Sequence, residues 1–496
     1  MAKEVRTRYA PSPTGYFHIG GARSALFNYL FAKHYGGKFI LRIEDTDINR
    51  NVEKGIESQY DNLVWLGLVP DESMFNPNKE FEPYIQSKKF DLYKTIADEL
   101  LKKGFVYRCF CTQEELEQAR QENLKNHQTP KYNRHCLYLT KQEIEANLKN
   151  NKPYVLRLKI QDNHDYVWND MIRGKISIPS SALTDYVILK ENNIPSYNFA
   201  NPIDDHDMKI SHIIRGEEHI SNTPYQLATI DALKQLDWYK DSKADFDFIY
   251  AHLPVVNNPN GKKLSKRDTN LKQFIGDYKE MGFLPMAINN FLVLLGWSSS
   301  NNQEYFSNLN ELIKQFDGTR ISKSPGIFDY AKMLSVNKKH LDALDDETYL
   351  KEVKKFLKIN LHELNLNENE VLLLFRKDVK YFSEINDLIH DLIHPKPLIL
   401  DEETKAIYMN AMNHDLKDHA ILLLLNNIKE WSISELTNWL KVLSNQSELK
   451  GKNLYLPLRI CLFNALHGPE FIKLVHIFGK EYCLKKLNQF NQLIKE

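Results

Sequence analysis

The sequence predicts a parallel α/β domain, interrupted by an α+β module and followed by an all-α half. Three observations carry this. The first 43 residues read as strand, tight turn, helix and strand, the order of a parallel unit. Between about Tyr107 and Pro195 the pattern changes to short alternating strands, and beyond about residue 330 apolar residues recur at helical spacing.

In order along the chain, Val5 to Tyr9 reads as a strand and Pro11-Ser12-Pro13-Thr14-Gly15 as a rigid turn. Gly21 to Lys33 follows as a helix with Ala25, Leu26, Tyr29 and Leu30 on one face. Lys38 to Ile43 is a second buried strand. The middle module opens with a cysteine pair and a polar helix around Gln113 to Leu124, then gives strands such as Tyr154 to Leu158. Buried strands return at Ile213 to Gly216 and Phe248 to Val256. The predicted divisions are 1–106 with 196–256 for the split α/β domain, 107–195 for the insert, 257–330 for a connecting region and 331–496 for the helical half. Stretches such as Val371 to Phe375 and Ala420 to Leu425 show three-and-four spacing there. No internal repeat or Gly/Ser linker interrupts this order.

A chain of 496 residues exceeds what one hydrophobic core organises, and 42% hydrophobic with 26% charged residues is ordinary globular composition. Lys and Arg number 65, as do Asp and Glu, so a nucleic-acid partner would be met by local basic patches rather than by an overall field. The segment MAKEVRTRYAPSPTG lacks the apolar core of a secretory signal. The most apolar stretch, Phe291 to Trp297, is far too short to span a bilayer, so a cytoplasmic protein without membrane contact is expected. Five cysteines, three of them crowded at Cys109, Cys111 and Cys136, point to metal rather than to a disulfide framework. Cys461 and Cys483 sit in apolar helical surroundings, where a buried free thiol is expected.

Two stretches carry chemistry. At Phe17-His18-Ile19-Gly20-Gly21 a turn feeds a helix whose N-terminal amides favour an anion, and the glycines permit close approach of a ligand. This is neither the dinucleotide fingerprint nor a Walker loop. Far downstream, Asn260-Gly261 leads into the basic run Lys262-Lys263-Leu264-Ser265-Lys266-Arg267-Asp268. Either alone reads as an ordinary turn or a solvated charge run; in this order they form a pair.

That pair resembles the HIGH-type turn (His18-Ile19-Gly20-Gly21) and the KMSKS-type loop (Lys263-Leu264-Ser265-Lys266-Arg267) of the class I aminoacyl-tRNA synthetases. Further matches are similar to the bacterial glutamate branch of that family. They include Arg8-Tyr9-Ala10-Pro11-Ser12-Pro13-Thr14-Gly15, Arg42-Ile43-Glu44-Asp45-Thr46-Asp47, Asn201-Pro202-Ile203-Asp204-Asp205-His206, Ile214-Arg215-Gly216-Glu217-Glu218 and Leu456-Pro457-Leu458-Arg459. The resemblance spans nearly the whole chain. It implies a Rossmann-like class I catalytic domain, an acceptor-binding insert, a stem-contact region and α-helical anticodon-binding domains, in a monomer.

It also implies ATP-dependent activation of L-glutamate and transfer to tRNA(Glu), with tRNA(Gln) left open as a second acceptor. Activation that waits for bound tRNA is part of the same expectation. ATP, brought with Mg2+, would lie against Ser12, His18, Gly20, Gly21, Lys263, Leu264, Ser265, Lys266 and Arg267. Joining a carboxylate to the α-phosphate builds negative charge on phosphoryl oxygens, which His18, Lys263 and Lys266 would stabilise by position and charge. Arg8 and Arg215 would meet the glutamate carboxylates, where a guanidinium forms two parallel charge-assisted bonds. Glu44 would take the ammonium, with Ala10, Ser12, Tyr197 and Asn201 completing the pocket.

Cys109-x-Cys111 with Cys136 resembles the structural zinc element of part of this family, and thiolates suit zinc. Tyr132, His135 and Tyr138 all stand near enough in sequence to supply a fourth ligand. A truncated relative that glutamylates queuosine in tRNA uses a tyrosine four residues before its last zinc cysteine, which favours Tyr132. The helical half argues against that relative's function for this chain. A silent paralogue would have lost charge at Arg8, His18, Arg215 or Lys266, and a small nucleotidyltransferase has no use for so long a helical half. RNA contact is expected in the helical half, where Phe375 to Phe382 interleaves aromatics with Lys and Arg and also fits an amphipathic helix.

Overall fold

The computed structural model describes residues 4–127, 129–241, 247–263, 272–395, 401–413, 416–426 and 428–489. The chain forms two compact units, Met1–Asp277 with Pro285–Met333, and Tyr278–Leu284 with Leu334–Glu496. In chain order the strands of the first unit are β1 (Arg6–Tyr9), β2 (Lys38–Leu41), β3 (Val106–Cys109), β4 (Val155–Leu158), β5 (Asp165–Asp170), β6 (Gly174–Pro179), β7 (Tyr186–Leu189), β8 (His212–Gly216), β9 (Ile249–Leu253), β10 (Val256–Asn257) and β11 (Gly326–Ile327).

The main sheet has the order β2-β1-β8-β9-β5-β6 and is parallel apart from the β5–β6 hairpin. The chain passes from β1 to β2 on one side and later returns as β8 on the other. The carboxyl ends of β1 and β8 therefore flank a topological switch point, where open α/β sheets form their ligand crevices.

β1 is buried although its sequence is Arg-Thr-Arg-Tyr, because each polar side chain is satisfied. Arg6 pairs with Glu72 through two bonds of 2.7 and 2.8 Å, Thr7 donates to the Asn28 carbonyl at 2.8 Å, and Arg8 pairs with Asp205. The helix Ile19–His34 begins two residues before the predicted Gly21, because the His18 side chain caps it. Ala22, Ala25, Leu26, Phe27 and Leu30 are fully buried along it. Gly21 is required by packing: a Cβ there would sit 2.5 Å from the Tyr9 hydroxyl. Asn28 ties this helix to β8 by donating to the Ile214 carbonyl at 2.9 Å.

Two expectations change. The predicted strand Phe248 to Val256 is two strands, because Pro254 has no N–H to continue the ladder. The chain turns there, and β10 pairs with β11 instead. The stretch 107–195 contributes to two sheets: β3, β4 and β7 form an antiparallel sheet of their own, whereas the β5–β6 hairpin extends the main sheet beyond β9. Burial alternates along β5, with Tyr166, Trp168 and Asp170 inward. The helix Gln113–Lys125 starts with a reciprocal Thr112–Glu115 capping box and buries none of its side chains.

The second unit is helical, with a core that includes Val371, Leu372, Phe375, Leu436, Trp439, Leu443, Leu458 and Val475. Cys461 and Cys483 are buried and in no disulfide, as read from the sequence. Phe375, Val379 and Phe382 all face this core, so two of the three aromatics in the stretch read for RNA contact serve packing, while Tyr381 is half-buried.

The helix Tyr197–Asp207 carries Pro202 in its interior. Pro202 cannot donate to the Asn198 carbonyl; the Tyr186 hydroxyl stands 3.4 Å from that oxygen and the Thr229 hydroxyl 3.2 Å, its one proton shared with the Tyr225 carbonyl at 2.9 Å. Thr229→Val is expected to lower stability by about 1–3 kcal/mol, the cost of a buried carbonyl left short of a donor. Restoring the N–H with Pro202→Ala should shrink that loss. Equal losses in both backgrounds, measured by urea denaturation, would assign the Thr229 contribution to something other than the proline.

Candidate active site

At the carboxyl ends of β1 and β8 lies a cleft of about 750 Å³. It is lined by Arg8, Ala10, Ser12, His18, Gly20, Gly21, Glu44, Tyr197, Asn201, Arg215 and Lys263, which gathers the predicted site residues from five separate stretches of sequence. Leu264, Ser265, Lys266 and Arg267 lie outside the described residues.

The floor of the cleft is a network of buried charge centred on Arg42. Its guanidinium reaches Asp205 at 2.6 Å and Glu44 at 2.9 Å, with Asp204 at 3.8 Å. Arg8 adds a two-pronged pair to Asp205, Nε to Oδ1 and Nη2 to Oδ2, both 3.0 Å. Burial pushes the Asp205 carboxyl up, but Arg42 and Arg8 outweigh it and hold the group below its ordinary value. Nη1 is the Arg8 nitrogen not committed to Asp205.

Glu44 is held from one side. Arg42 and the Asn201 amide, at 2.7 Å, both donate to Oε1, and Gln226 in turn donates to Asn201 Oδ1 at 3.2 Å. Oε2 is thereby the oxygen available to a cation in the cleft. Burial raises the Glu44 carboxyl above its usual value despite the opposing pull of Arg42 and Arg8. A bound ammonium would add a further positive neighbour.

Arg215 differs from Arg8. It donates to His252 Nε2 at 3.2 Å, to the Tyr197 hydroxyl at 3.3 Å and to the Thr223 hydroxyl at 2.8 Å, all neutral groups. A guanidinium only 6% exposed with neutral partners is electrostatically incomplete until an anion arrives. His219, unassigned by the sequence reading, also lines the cleft. Burial first, then Arg215 and Arg8, push it down to about 3, so it stands neutral against the Tyr197 ring.

On the opposite wall His18 Nδ1 accepts the Gly21 N–H at 3.1 Å. That bond puts the imidazole proton on Nε2 and makes it a donor, suited to a phosphate oxygen beside the helix N-terminus. Lys263 is exposed at the cleft edge. Arg23, one turn into the helix, is buried and donates to the Pro254 carbonyl at 2.6 Å, fixing the turn at which the chain leaves the sheet toward Lys263.

In the insert the Sγ atoms of Cys109, Cys111 and Cys136 all lie within 4.8 Å of one another. The Tyr132 hydroxyl is 3.4 Å from Cys109 Sγ and 3.6 Å from Cys111 Sγ, and Cys111 and Cys136 are 3.5 Å apart. Bonds of about 2.3 Å to one tetrahedral ion put sulfurs roughly 3.8 Å apart, so three sulfurs and a phenol oxygen at these spacings fit a metal. Hydrogen bonding from Cys136 holds the Cys109 thiol below its ordinary value. His135 and Tyr138 face solvent, Tyr138 being 75% exposed.

This cleft at the switch point, with a histidine-capped helix on one wall and paired arginines on the other, defines a nucleotide-using enzyme. Residues 4–335 match the model of the tRNA synthetases class I (E and Q) catalytic domain, and residues 330–491 match an anticodon binding domain. The chain belongs to the class I aminoacyl-tRNA synthetases of that group. It is 48% identical to the glutamate-tRNA ligase of Malacoplasma penetrans over 98% of both chains, and 42% identical to that of Mycoplasma genitalium, again over 98% of both. A crystal structure of a glutamate tRNA ligase from Elizabethkingia meningosepticum, in complex with its amino acid, superposes with a TM-score of 0.88 at 32% identity, covering 99% of this chain and 100% of that one. Among the described residues no helix is long and apolar enough to cross a membrane.

Asp205 is the carboxylate on which Arg8 and Arg42 both depend. Asp205→Ala should cost about 3–5 kcal/mol in urea denaturation at pH 7, because it leaves the buried Arg8 without its carboxylate and takes from Arg42 one of its three. Its folded value lies below the unfolded one, so this contribution is present above the unfolded value and is lost as pH falls through the folded one. The gap between wild type and variant should therefore begin to narrow as pH falls below about 4, and a gap of constant size down to pH 3 would contradict the ion-pair account.

Proposed function

We propose that the chain is a glutamate-tRNA ligase that activates L-glutamate with ATP and Mg2+ and transfers the glutamyl group to the 3′ end of tRNA(Glu). The α-carboxylate attacks the α-phosphate and pyrophosphate leaves; a terminal ribose hydroxyl of the tRNA then attacks the adenylate carbonyl and AMP leaves. The observation that carries this reading is Arg215, a buried cation with neutral partners, beside Arg8 in a cleft whose other wall ends in a helix N-terminus. The full-length likeness to glutamate-tRNA ligases supports it.

In this reading Arg8 and Arg215 meet the substrate carboxylates, and Glu44 Oε2 takes the ammonium. Tyr197, Asn201, Ala10 and Ser12 close the pocket around it. Glutamine would set a neutral amide against the arginines and leave their charge uncompensated, which disfavours it. His18 Nε2–H, the amides after Gly20 and Lys263 stabilise the phosphates, with Lys266 and its neighbours Leu264, Ser265 and Arg267 completing the loop. The anticodon binding domain match over residues 330–491 weighs against a truncated queuosine-modifying role. The cytoplasm is the compartment in which such a protein meets its tRNA.

The test is charging of purified tRNAs. Wild-type protein should attach glutamate to tRNA(Glu) with ATP, and Arg215→Ala should lower kcat/KM for glutamate roughly 100-fold, as expected when one side of a buried charge pair is removed. No glutamylation of any tRNA would overturn the reading. Running tRNA(Gln) alongside decides whether that acceptor is also used.

Cys109, Cys111, Cys136 and Tyr132 are proposed to hold one zinc ion, which would brace the insert and take no part in the chemistry. Metal analysis of purified protein should find one zinc per chain, and Cys109→Ser should abolish it. Metal-free protein with three freely titrating thiols in the insert would rule the site out.

A further inference from the structure

The main sheet brings three buried polar residues together across β8, β9 and β5, with Asp170 in register with Tyr250 and reaching His252 diagonally. Arg215 and His252 are direct partners on β8 and β9, and Asp170 stands at the end of β5 on the far side. Asp170 Oδ2 lies 2.6 Å from His252 Nδ1, and Arg215 Nε lies 3.2 Å from His252 Nε2. Histidine and aspartate are 0% and 4% exposed.

The hydrogens in this row are dictated by chemistry. A guanidinium can only donate, so His252 Nε2 must offer a lone pair and the proton sits on Nδ1, donated to Asp170. Burial keeps His252 below its ordinary value, as an acceptor requires. Asp170 is fixed in turn, since Oδ1 accepts the backbone N–H groups of Ile172 at 3.0 Å and Arg173 at 2.9 Å. Of the five N–H groups of Arg215, the bonds to His252, Tyr197 and Thr223 use one on each nitrogen, and each terminal nitrogen keeps a second.

We infer that Asp170 and His252 are positioning residues that hold Arg215 by its Nε edge and aim its two remaining N–H groups at a carboxylate of the substrate. The inference rests on the reading of Arg215 as a substrate anchor. It assigns a function to two residues outside the cleft lining, one of them in the segment between β4 and β6.

Asp170→Asn tests it with little change of shape. The asparagine oxygen is retained by the Ile172 and Arg173 amides, so its NH2 faces His252 Nδ1 and donates. The imidazole proton moves to Nε2 and opposes the Arg215 Nε–H. Steady-state charging of tRNA(Glu) should then show KM for glutamate raised roughly 10-fold while KM for ATP stays within about two-fold of wild type, the scale of one misdirected hydrogen bond to a charged group. His252→Leu should do the same. His252→Gln, whose amide can donate to Asp170 and accept from Arg215, should recover most of the loss.

Wild-type KM for glutamate in both Asp170→Asn and His252→Leu would overturn the inference. A parallel rise in both KM values would also overturn it, by showing a general loosening of the sheet, as would His252→Gln behaving no better than His252→Leu. A wild-type chain that charges normally beside unaffected variants sinks this inference alone; one that charges nothing sinks the reading of the cleft with it.

Discussion

The cleft depends on one buried cation, Arg42, which lies entirely out of water and holds Asp205, Glu44 and Asp204 together. Taking that many charges out of solvent is favourable only where each finds a partner at hydrogen-bonding distance. Asp204 meets the condition through Tyr93 at 2.8 Å, Gln86 at 2.8 Å and Lys89 at 2.9 Å. The consequence is geometric. With Asp205 fixed by Arg42, Arg8 is fixed by Asp205; with Glu44 Oε1 fixed by Arg42 and Asn201, Oε2 is left facing the cleft.

The two arginines of the cleft solve the burial problem differently. Arg8 is neutralised within the protein, and its charge is largely spent on Asp205. Arg215 is satisfied in hydrogen bonds but not in charge, because hydroxyls and a neutral imidazole accept its protons. An incoming carboxylate therefore gains most from Arg215, while Arg8 offers a rigid donor at a fixed place. One anchor supplies field and the other supplies position, which suits selection of a carboxylate side chain over its amide.

Much of the first unit was legible because strands and helices there obey simple periods. The turn at Pro11 to Gly15, the helix after His18 and the strand at Lys38 follow from local sequence. Pro254 interrupts the apolar run from Phe248 without breaking its β-like composition, so composition alone predicts one strand where the ladder makes two. The network around Arg42 was not legible at all. Arg8 and Asp205 are 197 positions apart, and nothing local distinguishes a carboxylate that neutralises an arginine from one on the surface. Resemblance marked Arg8 as a ligand residue; only geometry adds that half of its guanidinium already has a partner. The metal cluster falls between these cases: spacing announced the three sulfurs, resemblance favoured Tyr132, and geometry adds that its hydroxyl turns toward them while His135 and Tyr138 face solvent.

In the helical unit the same periodicity that reveals a helix misleads about contact with RNA. An amphipathic pattern reports which residues leave water, because burial is what imposes the three-and-four spacing. Phe375 and Phe382 drew notice as aromatics interleaved with basic residues, yet both, with Val379, are core. Arg376, between them, is turned to Asp346, the Leu344 carbonyl and the Tyr349 ring, so its charge braces the fold. Residues that read an RNA loop must be exposed, and exposed positions carry no periodic constraint. The interleaved aromatic and basic stretch therefore says how this unit packs, and its recognition surface has to be sought among side chains that the hydrophobic pattern ignores.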